Sequence, residues 1–401
     1  MPSTPPRHGR PTKKTYLRRR LLMGFLGLLL IVVTIASYSF GTFMVNPAYG
    51  TSMGARAAEW AREHGGGSAV TAIENWWYTN HPPAKGGKPP KGAISQGKGD
   101  KGPRGGHLPV PAPVVSPASP ALPGEGVWSP VGNSVGGYPA ILRTTVRVDA
   151  VHTSDVAAIA WMDTTLLKAS LYSGSFIPGG GPYRHSAPIT PLAAKTTIAA
   201  FNAGFRMGDA NGGYFTDGKV IVPLRDGAAS YVIYKDGSST IGAWGRDLKM
   251  TSQVEAVRQN LDLIVDGGKP APGLSAANTA AWGKTLGGGV YVWRSGYGVT
   301  ATGALVYVGG PNLSIVSLAD LLVRAGAIRA MELDINTDWV QYSSYQYPRT
   351  SAANGADGTK LLSTMVSSPA RYFTTWFNRD FIVMQARSFA PATPAQTSPQ
   401  G

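Results

Sequence analysis

The run Ala330-Met331-Glu332-Leu333-Asp334-Ile335-Asn336 alternates apolar and polar side chains. In a strand, successive side chains point to opposite faces. Met331, Leu333 and Ile335 then enter a core, and Glu332, Asp334 and Asn336 line the other face together. Two carboxylates and an amide on one face suit a cleft wall, because clustered carboxylates mark reactive sites. A half-exposed strand with hydrophilic groups explains the same pattern. The second candidate is Ala200-Phe201-Asn202-Ala203-Gly204-Phe205-Arg206. Its apolar strand ends in Asn202, which both donates and accepts, and then in small residues that let a backbone or a ligand come close. An ordinary strand-to-loop turn reads the same way. The third candidate is Arg294, in Val292-Trp293-Arg294-Ser295-Gly296-Tyr297-Gly298. A guanidinium within an apolar strand is costly unless paired. Its fork suits a carboxylate or a phosphate of a ligand, or a structural ion pair with a carboxylate such as Asp334.

Other chemistries lack their residues. The chain has no cysteine, which removes disulfides, thiolate metal sites and a cysteine nucleophile. Beyond residue 127 the histidines are His152 and His185, which form no ligand-spaced pair. That argues against zinc hydrolysis and a Ser-His-Asp triad. Gly132-Asn133-Ser134-Val135-Gly136 fits the nucleophile-elbow pattern, but a Pro-rich stretch precedes it and Gly137-Tyr138-Pro139 follows. An elbow needs a strand before and a helix after, so the match is one of chance. Asp, Glu, Asn, Arg and Tyr remain, an inventory that suits glycoside cleavage by two carboxyl groups. Oxygen ligands of this kind also suit Ca²⁺; no other cofactor is implied.

The elements that must hold these residues are mostly strands. Segments rich in Val, Ile, Thr and Tyr predict strands at 141–148, 157–162, 165–172, 196–201, 219–222, 229–235, 238–244, 261–266, 290–299, 304–308, 328–336 and 380–386. Asp236-Gly237 is a hairpin turn signal. One helix is clear, with Ser317 as its cap, Leu318, Leu321 and Leu322 as its apolar stripe and Gly326 as its end. Many strands with few helices, out of strict alternation, predict an α+β domain with a mixed sheet over 128–390. Residues 391–401 read as a disordered tail.

The N-terminal part differs in composition. Residues 1–20 hold seven basic side chains and no acid, and 21–45 hold no charge. That run is long enough to span a bilayer, with its basic flank cytoplasmic and the rest exported. A cleaved signal peptide needs a shorter core and a small-x-small site, so the retained anchor is favoured. Short helices are expected at 52–63, capped by Ser52, and at 68–78. Trp76-Trp77-Tyr78 suits either the lipid–water boundary or packing between these helices. Residues 81–127, rich in Pro, Gly and Lys, read as a linker. Its lysines suit anionic envelope polymers or simple solvation. The formal charge of +15 lies mainly in tail and linker, which argues against nucleic-acid binding by the folded part.

Together the motifs resemble the phosphodiester glycosidase family over roughly residues 195–340. Phe201-Asn202-Ala203-Gly204-Phe205 is similar to the family's Asn-Gly-Gly-Phe turn, and Gly213-Tyr214-Phe215-Thr216-Asp217-Gly218-Lys219 to the segment after it. Arg294-Ser295-Gly296-Tyr297-Gly298-Val299 resembles its Arg-Thr-Ala-x-Gly strand. The capped helix with Met331-Glu332-Leu333-Asp334 resembles its closing helix and Leu-Asp-Gly-Gly stretch. Two departures stand out: Ala203 within the turn, and Ile335-Asn336-Thr337-Asp338-Trp339 in place of a Gly-rich run. The resemblance implies a glycosyl-phosphate or related carbohydrate substrate. It selects Asn202 for sugar hydroxyls or developing charge, Arg294 for an anion and Asp334 as a catalytic carboxylate. Strand geometry adds Glu332 as a second carboxylate and Asn336 as a binding group. A membrane-anchored extracytoplasmic hydrolase follows. A non-catalytic glycan-binding module and a structural envelope protein are the alternatives.

Overall fold

The computed structural model describes residues 13–96, 106–275, 282, 291–374 and 379–388. The expected tail at 391–401, residues 1–12 and part of the linker lie outside these. α1 (Lys13–Val45) begins inside the basic stretch and runs through the whole apolar segment. Its portion Tyr16–Val45 spans 30 residues and contains an 18-residue window of mean hydropathy 2.4, none of which is buried. By length and composition it is able to cross a membrane. Ser52 caps α2 (Met53–Glu63) as expected, by accepting from the Ala55 amide, and α3 (Gly67–Asn80) follows. α2 folds back on the end of α1. Trp60 Nε1 donates to Ser39 Oγ at 3.1 Å, and the Phe40 ring meets the Trp60 ring edge-on at 5.2 Å.

The remainder is α+β, built on three sheets. The eight-stranded sheet has the spatial order β1 (Ser129–Pro130), β2 (Ile141–Arg147), β3 (Val156–Met162), β14 (Leu305–Leu313), β13 (Val292–Thr300), β15 (Ala327–Ile335), β11 (Leu263–Asp266), β12 (Lys269–Pro270). One five-stranded sheet runs β7 (Lys219–Val222), β6 (Tyr214–Thr216), β10 (Val254–Gln259), β8 (Ala229–Tyr234), β9 (Ser239–Ala243). The other runs β17 (Gly358–Lys360), β16 (Tyr342–Tyr345), β5 (Thr197–Asn202), β18 (Phe381–Ala386), β4 (Leu167–Tyr172). Every ladder between these strands is antiparallel, where a mixed sheet was expected. Parallel neighbours need long crossovers, usually helical. Apart from α4 (Pro191–Ala194), which is a single turn, the described part of this domain has one α-helix to offer, α5 (Ile315–Arg324).

The eight-stranded sheet is covered on both faces. One face packs on the two smaller sheets through Met331, Leu333, Phe201, Tyr297 and Tyr307. The other packs on α5 through Leu318, Leu321 and Leu322. α5 sits so close that a Cβ at Gly296 would lie 2.8 Å from Leu322 Cδ1, so any larger residue would displace that leucine. The helix starts earlier than expected. Ser314 is the N-cap, and Ser317 is its reciprocal partner in a capping box. Six strands were missed: β1, β6, β10, β12, β16 and β17. Glu255, Arg258 and Gln259 break the apolar pattern of β10, yet Arg258 and Gln259 are buried because their polar atoms are paired.

The Pro/Gly-rich segment does more than span. Val114 and Ala118 are buried, and the Trp128 indole donates to the Ala112 carbonyl at 2.9 Å. The Glu125 carboxylate accepts from Arg147 Nε at 3.1 and 3.2 Å and from its backbone amide at 2.8 Å. Ser95 reaches the same sheet through the Thr145 hydroxyl. Low hydrophobicity had predicted a free spacer. Buried hydrogen bonds supply what hydrophobic burial does not.

Candidate active site

Asn202 closes β5, Asp334 lies near the end of β15, Arg258 lies near the end of β10, and Arg379 and Asp380 precede β18. Pairing of Asn202 with Phe381 brings two of these ends together. Asn202 is buried and ties the sheets to each other. Its Nδ2 donates to Ser295 Oγ at 3.0 Å, and its Oδ1 accepts from the Tyr307 hydroxyl at 2.9 Å and the Gln341 amide at 3.2 Å. Ser295 Oγ in turn donates to the Asp334 carbonyl at 3.1 Å. Gly204, two residues after Asn202, is tightly packed. A Cβ there would lie 3.1 Å from Arg258 Nη2 and 3.3 Å from Asn260 Oδ1.

Strand alternation placed Glu332, Asp334 and Asn336 on one face, and a β-bulge overturns this. Arg294 pairs with Ile335 and Gly296 with Glu332, so Ser295 alone faces both Leu333 and Asp334. An extra residue of this kind ends the two-residue period. Glu332 remains on the α5 side, where it holds Arg294 at 2.6 Å. Arg294 Nε also donates to the Leu313 carbonyl at 2.8 Å, and the whole guanidinium is buried. The Arg294 partner is therefore Glu332 and not Asp334. Burial pushes the Glu332 carboxyl up against the pull of Arg294. Asn336 lies beyond the bulge, half-buried, with φ +100° in the left-handed region. Its side-chain carbonyl accepts from the Asp338 amide at 3.0 Å.

Asp334 has different company. Its Oδ2 lies 3.8 Å from Arg379 Nη1, and its Oδ1 accepts from the Ile335 amide at 2.8 Å. Asp380 is locked to Arg258, with Nε at 2.6 Å from Oδ2 and both side chains fully buried. Arg258 also donates to the Phe205 carbonyl, which fixes the loop after Asn202. Arg379 lies over the Trp339 ring at 4.4 Å, and Arg371 over the same ring at 5.0 Å. Burial raises the Asp334 carboxyl to about 7, and the nearby Asp380 charge adds to the effect. Arg379 and the Ile335 amide oppose it without cancelling it. Such a group carries its proton at mildly acidic pH and releases it near neutrality, the property of a general acid. Burial also lowers the Arg206 guanidinium to about 10 and depresses Arg379, against the attraction of Asp334.

α2 lies across this cluster. Glu59, on its inner face, contacts Arg206 and lies 3.8 Å from Arg379. Glu63 lies 3.1 Å from Arg206 Nη1. Ahead of the helix, the Thr51 amide donates to Asp338 Oδ1 at 2.7 Å. Among the described residues, no group of three or more His, Cys, Asp or Glu side chains is placed to hold a metal. Asp334 and Asp380 face guanidinium groups instead, an environment that does not fit Ca²⁺.

Arg206, Arg258, Arg379, Asp380 and Glu59 were not singled out as site residues from sequence. Arg258 gave no signal like that of Arg294, because the polar residues of β10 hid the strand that carries it. Arg206 closes the 200–206 segment, Arg379 precedes the strand predicted at 380–386, and Asp380 opens it. Glu59 gave no signal, since Arg206 and Arg379, its partners in the sheet domain, lie more than a hundred residues away.

No family model matches this chain, and neither does any curated protein. Among solved structures, it is similar to the catalytic domain of zebrafish N-acetylglucosamine-1-phosphodiester alpha-N-acetylglucosaminidase, auto-inhibited by its pro-peptide. Identity is 15%, over 65% of this chain and 88% of that one, at a TM-score of 0.40. A hypothetical protein from Synechocystis is 11% identical over 65% of this chain and 64% of its own, at 0.33. A chain from Burkholderia pseudomallei K96243, given as an exported protein, is 12% identical over 57% and 74%, at 0.27. Likenesses this faint assign neither activity nor site.

Proposed function

We propose that this chain is a membrane-anchored hydrolase of a glycosyl phosphodiester or a related envelope glycan. The observation that carries the reading is a buried Asp334 carboxyl that titrates near neutrality beside a guanidinium. The order of the Asn202, Arg294 and Asp334 motifs in the sequence supports the substrate class. In the reaction, water adds to the anomeric carbon and the bond from that carbon to the phosphate oxygen breaks. A free sugar and a phosphomonoester leave. Protonated Asp334 gives its proton to the departing oxygen, and water returns one to the site. Arg379 stabilises the phosphate charge, a task that suits a planar fork. Asn202 and Asn336 orient the sugar. Arg294 and Glu332 act as positioning residues, holding the strand that carries Asp334. The membrane anchor is α1, with its basic end in the cytoplasm and the sheets outside.

The test is sugar release from a glycosyl phosphodiester by the full chain in detergent micelles. The parent is expected to release sugar. Asp334→Asn keeps shape and fold and is expected to lose on the order of 10²–10⁴-fold in turnover, the range for acid–base catalysis. A folded, fully active Asp334→Asn protein would eliminate the mechanism. A parent that binds such glycans without turnover would be a binding module instead.

A further inference from the structure

We propose that Arg206 and Arg379 form the anion-binding subsite beside Asp334, and that the Glu59 carboxylate of α2 occupies it until a phosphate oxyanion displaces it. The inference rests on the hydrolase reading for the identity of the diester, and on geometry for the subsite. Glu59 is a carboxylate 2% exposed on a helix whose other residues are half-buried or exposed. Its two oxygens meet three guanidinium groups: Arg62 at 3.3 Å, Arg379 at 3.8 Å and Arg206 in direct contact. Two of the three belong to the sheet domain and lie beside Asp334. A buried carboxylate among arginines is placed as a phosphate oxyanion would be, since both offer oxygens to the same donors.

A second observation points to a ligand. Among the described residues, the buried Arg379 Nη1 has no hydrogen-bond partner, and it faces Asp334 at a distance too long for such a bond. Buried donors are nearly always satisfied, and an orphan needs an explanation. Glu59 approaches the same guanidinium only at 3.8 Å, a loose substitute for a ligand that reaches further in. With α2 lifted, Arg206 keeps Asp209 and Asp334 as its nearby acids. Arg206 and Arg379 then face Asp334 and the surface-exposed Asp209, while Asp380 stays paired with Arg258, so with Asp334 protonated the site keeps net positive charge for an anion.

Occupancy by α2 reduces the apparent affinity for any anion by the fraction of chains in which α2 has left. Glu59→Gln removes the competing charge and leaves both arginines in place. The experiment titrates the full chain in micelles with inorganic phosphate and with dimethyl phosphate, read by calorimetry. Glu59→Gln is expected to bind both at least about tenfold more tightly than the parent, the gain from losing about 1.4 kcal/mol of competition. Adding Arg206→Gln to it is expected to abolish the gain. Unchanged binding in Glu59→Gln, or a gain that survives Arg206→Gln, would overturn the proposal. If Glu59→Gln does not fold, Thr51→Val loosens α2 at Asp338 without touching an arginine, and tighter phosphate binding is again expected. Anion binding is read without turnover. A chain that gains phosphate affinity but releases no sugar would keep the subsite and lose the hydrolase; active enzyme with no gain would do the reverse.

Discussion

At the scale of single residues, Asp334 ties the candidate chemistry to a measurable stability. Its folded value near 7 lies above the ordinary carboxylate range because burial penalises the charge. The neutral form is the one the fold favours. Its stabilising contribution is complete below about pH 4 and is lost as pH rises towards 7, where the unfolded chain ionises and the folded one does not. The difference amounts to about 4 kcal/mol between the two limits. Asp334→Asn has no proton to release. The variant's melting temperature is therefore expected to exceed the parent's by more at pH 8 than at pH 5, and an equal difference at both would show that Asp334 is not buried as described. Turnover is expected to fall as pH rises through about 7, because the protonated form is the acid. Arg294 illustrates the opposite outcome for a residue selected by the same reasoning. It is a cation in an apolar strand, and its cost is met by Glu332 at 2.6 Å, away from Asp334.

Among the elements, β15 and the segment before β1 behave least as their sequences suggest. The bulge opposite Ser295 turns one carboxylate under α5 and the other towards Arg379, so one short strand serves two environments. The segment ending at Val127 is bound by a buried pair, Glu125 with Arg147. Removing one member of such a pair leaves an uncompensated charge and costs about 3–5 kcal/mol. A chain starting at residue 128 is accordingly expected to melt well below one starting at residue 106. Glu125→Ala in the longer chain is expected to reproduce most of that loss, measured by thermal denaturation. Equal melting of the two fragments would return the segment to the role of a spacer.

On the scale of the whole molecule, α1 and the candidate site are mechanically close. α2 touches α1 through Trp60 and Ser39 on one side and the arginine cluster through Glu59 on the other. The site thus sits next to the end of the apolar helix. If α1 crosses a membrane with its basic end inside, protease added to intact cells is expected to degrade everything after residue 46 and to spare the tail. Survival of the sheet domain would reverse the orientation.

Sequence alone was sufficient for whatever depends on local pattern. Apolar runs, a charge-free stretch and turn residues set the helix α1, most strands, the Asp236-Gly237 hairpin and the α+β class, because these follow from neighbours a few positions apart. The positions of Asn202 at the end of an apolar strand and of Asp334 within an alternating one were also legible, though not a role for either. The tertiary structure alone decided which charges meet. A bulge, invisible to a two-residue period, separated Glu332 from Asp334. Long-range packing paired Arg258 with Asp380 across 122 positions and Arg206 with Glu59 across 147. A buried ion pair is selected by the distance between two groups in the folded chain, and sequence spacing carries no record of that distance.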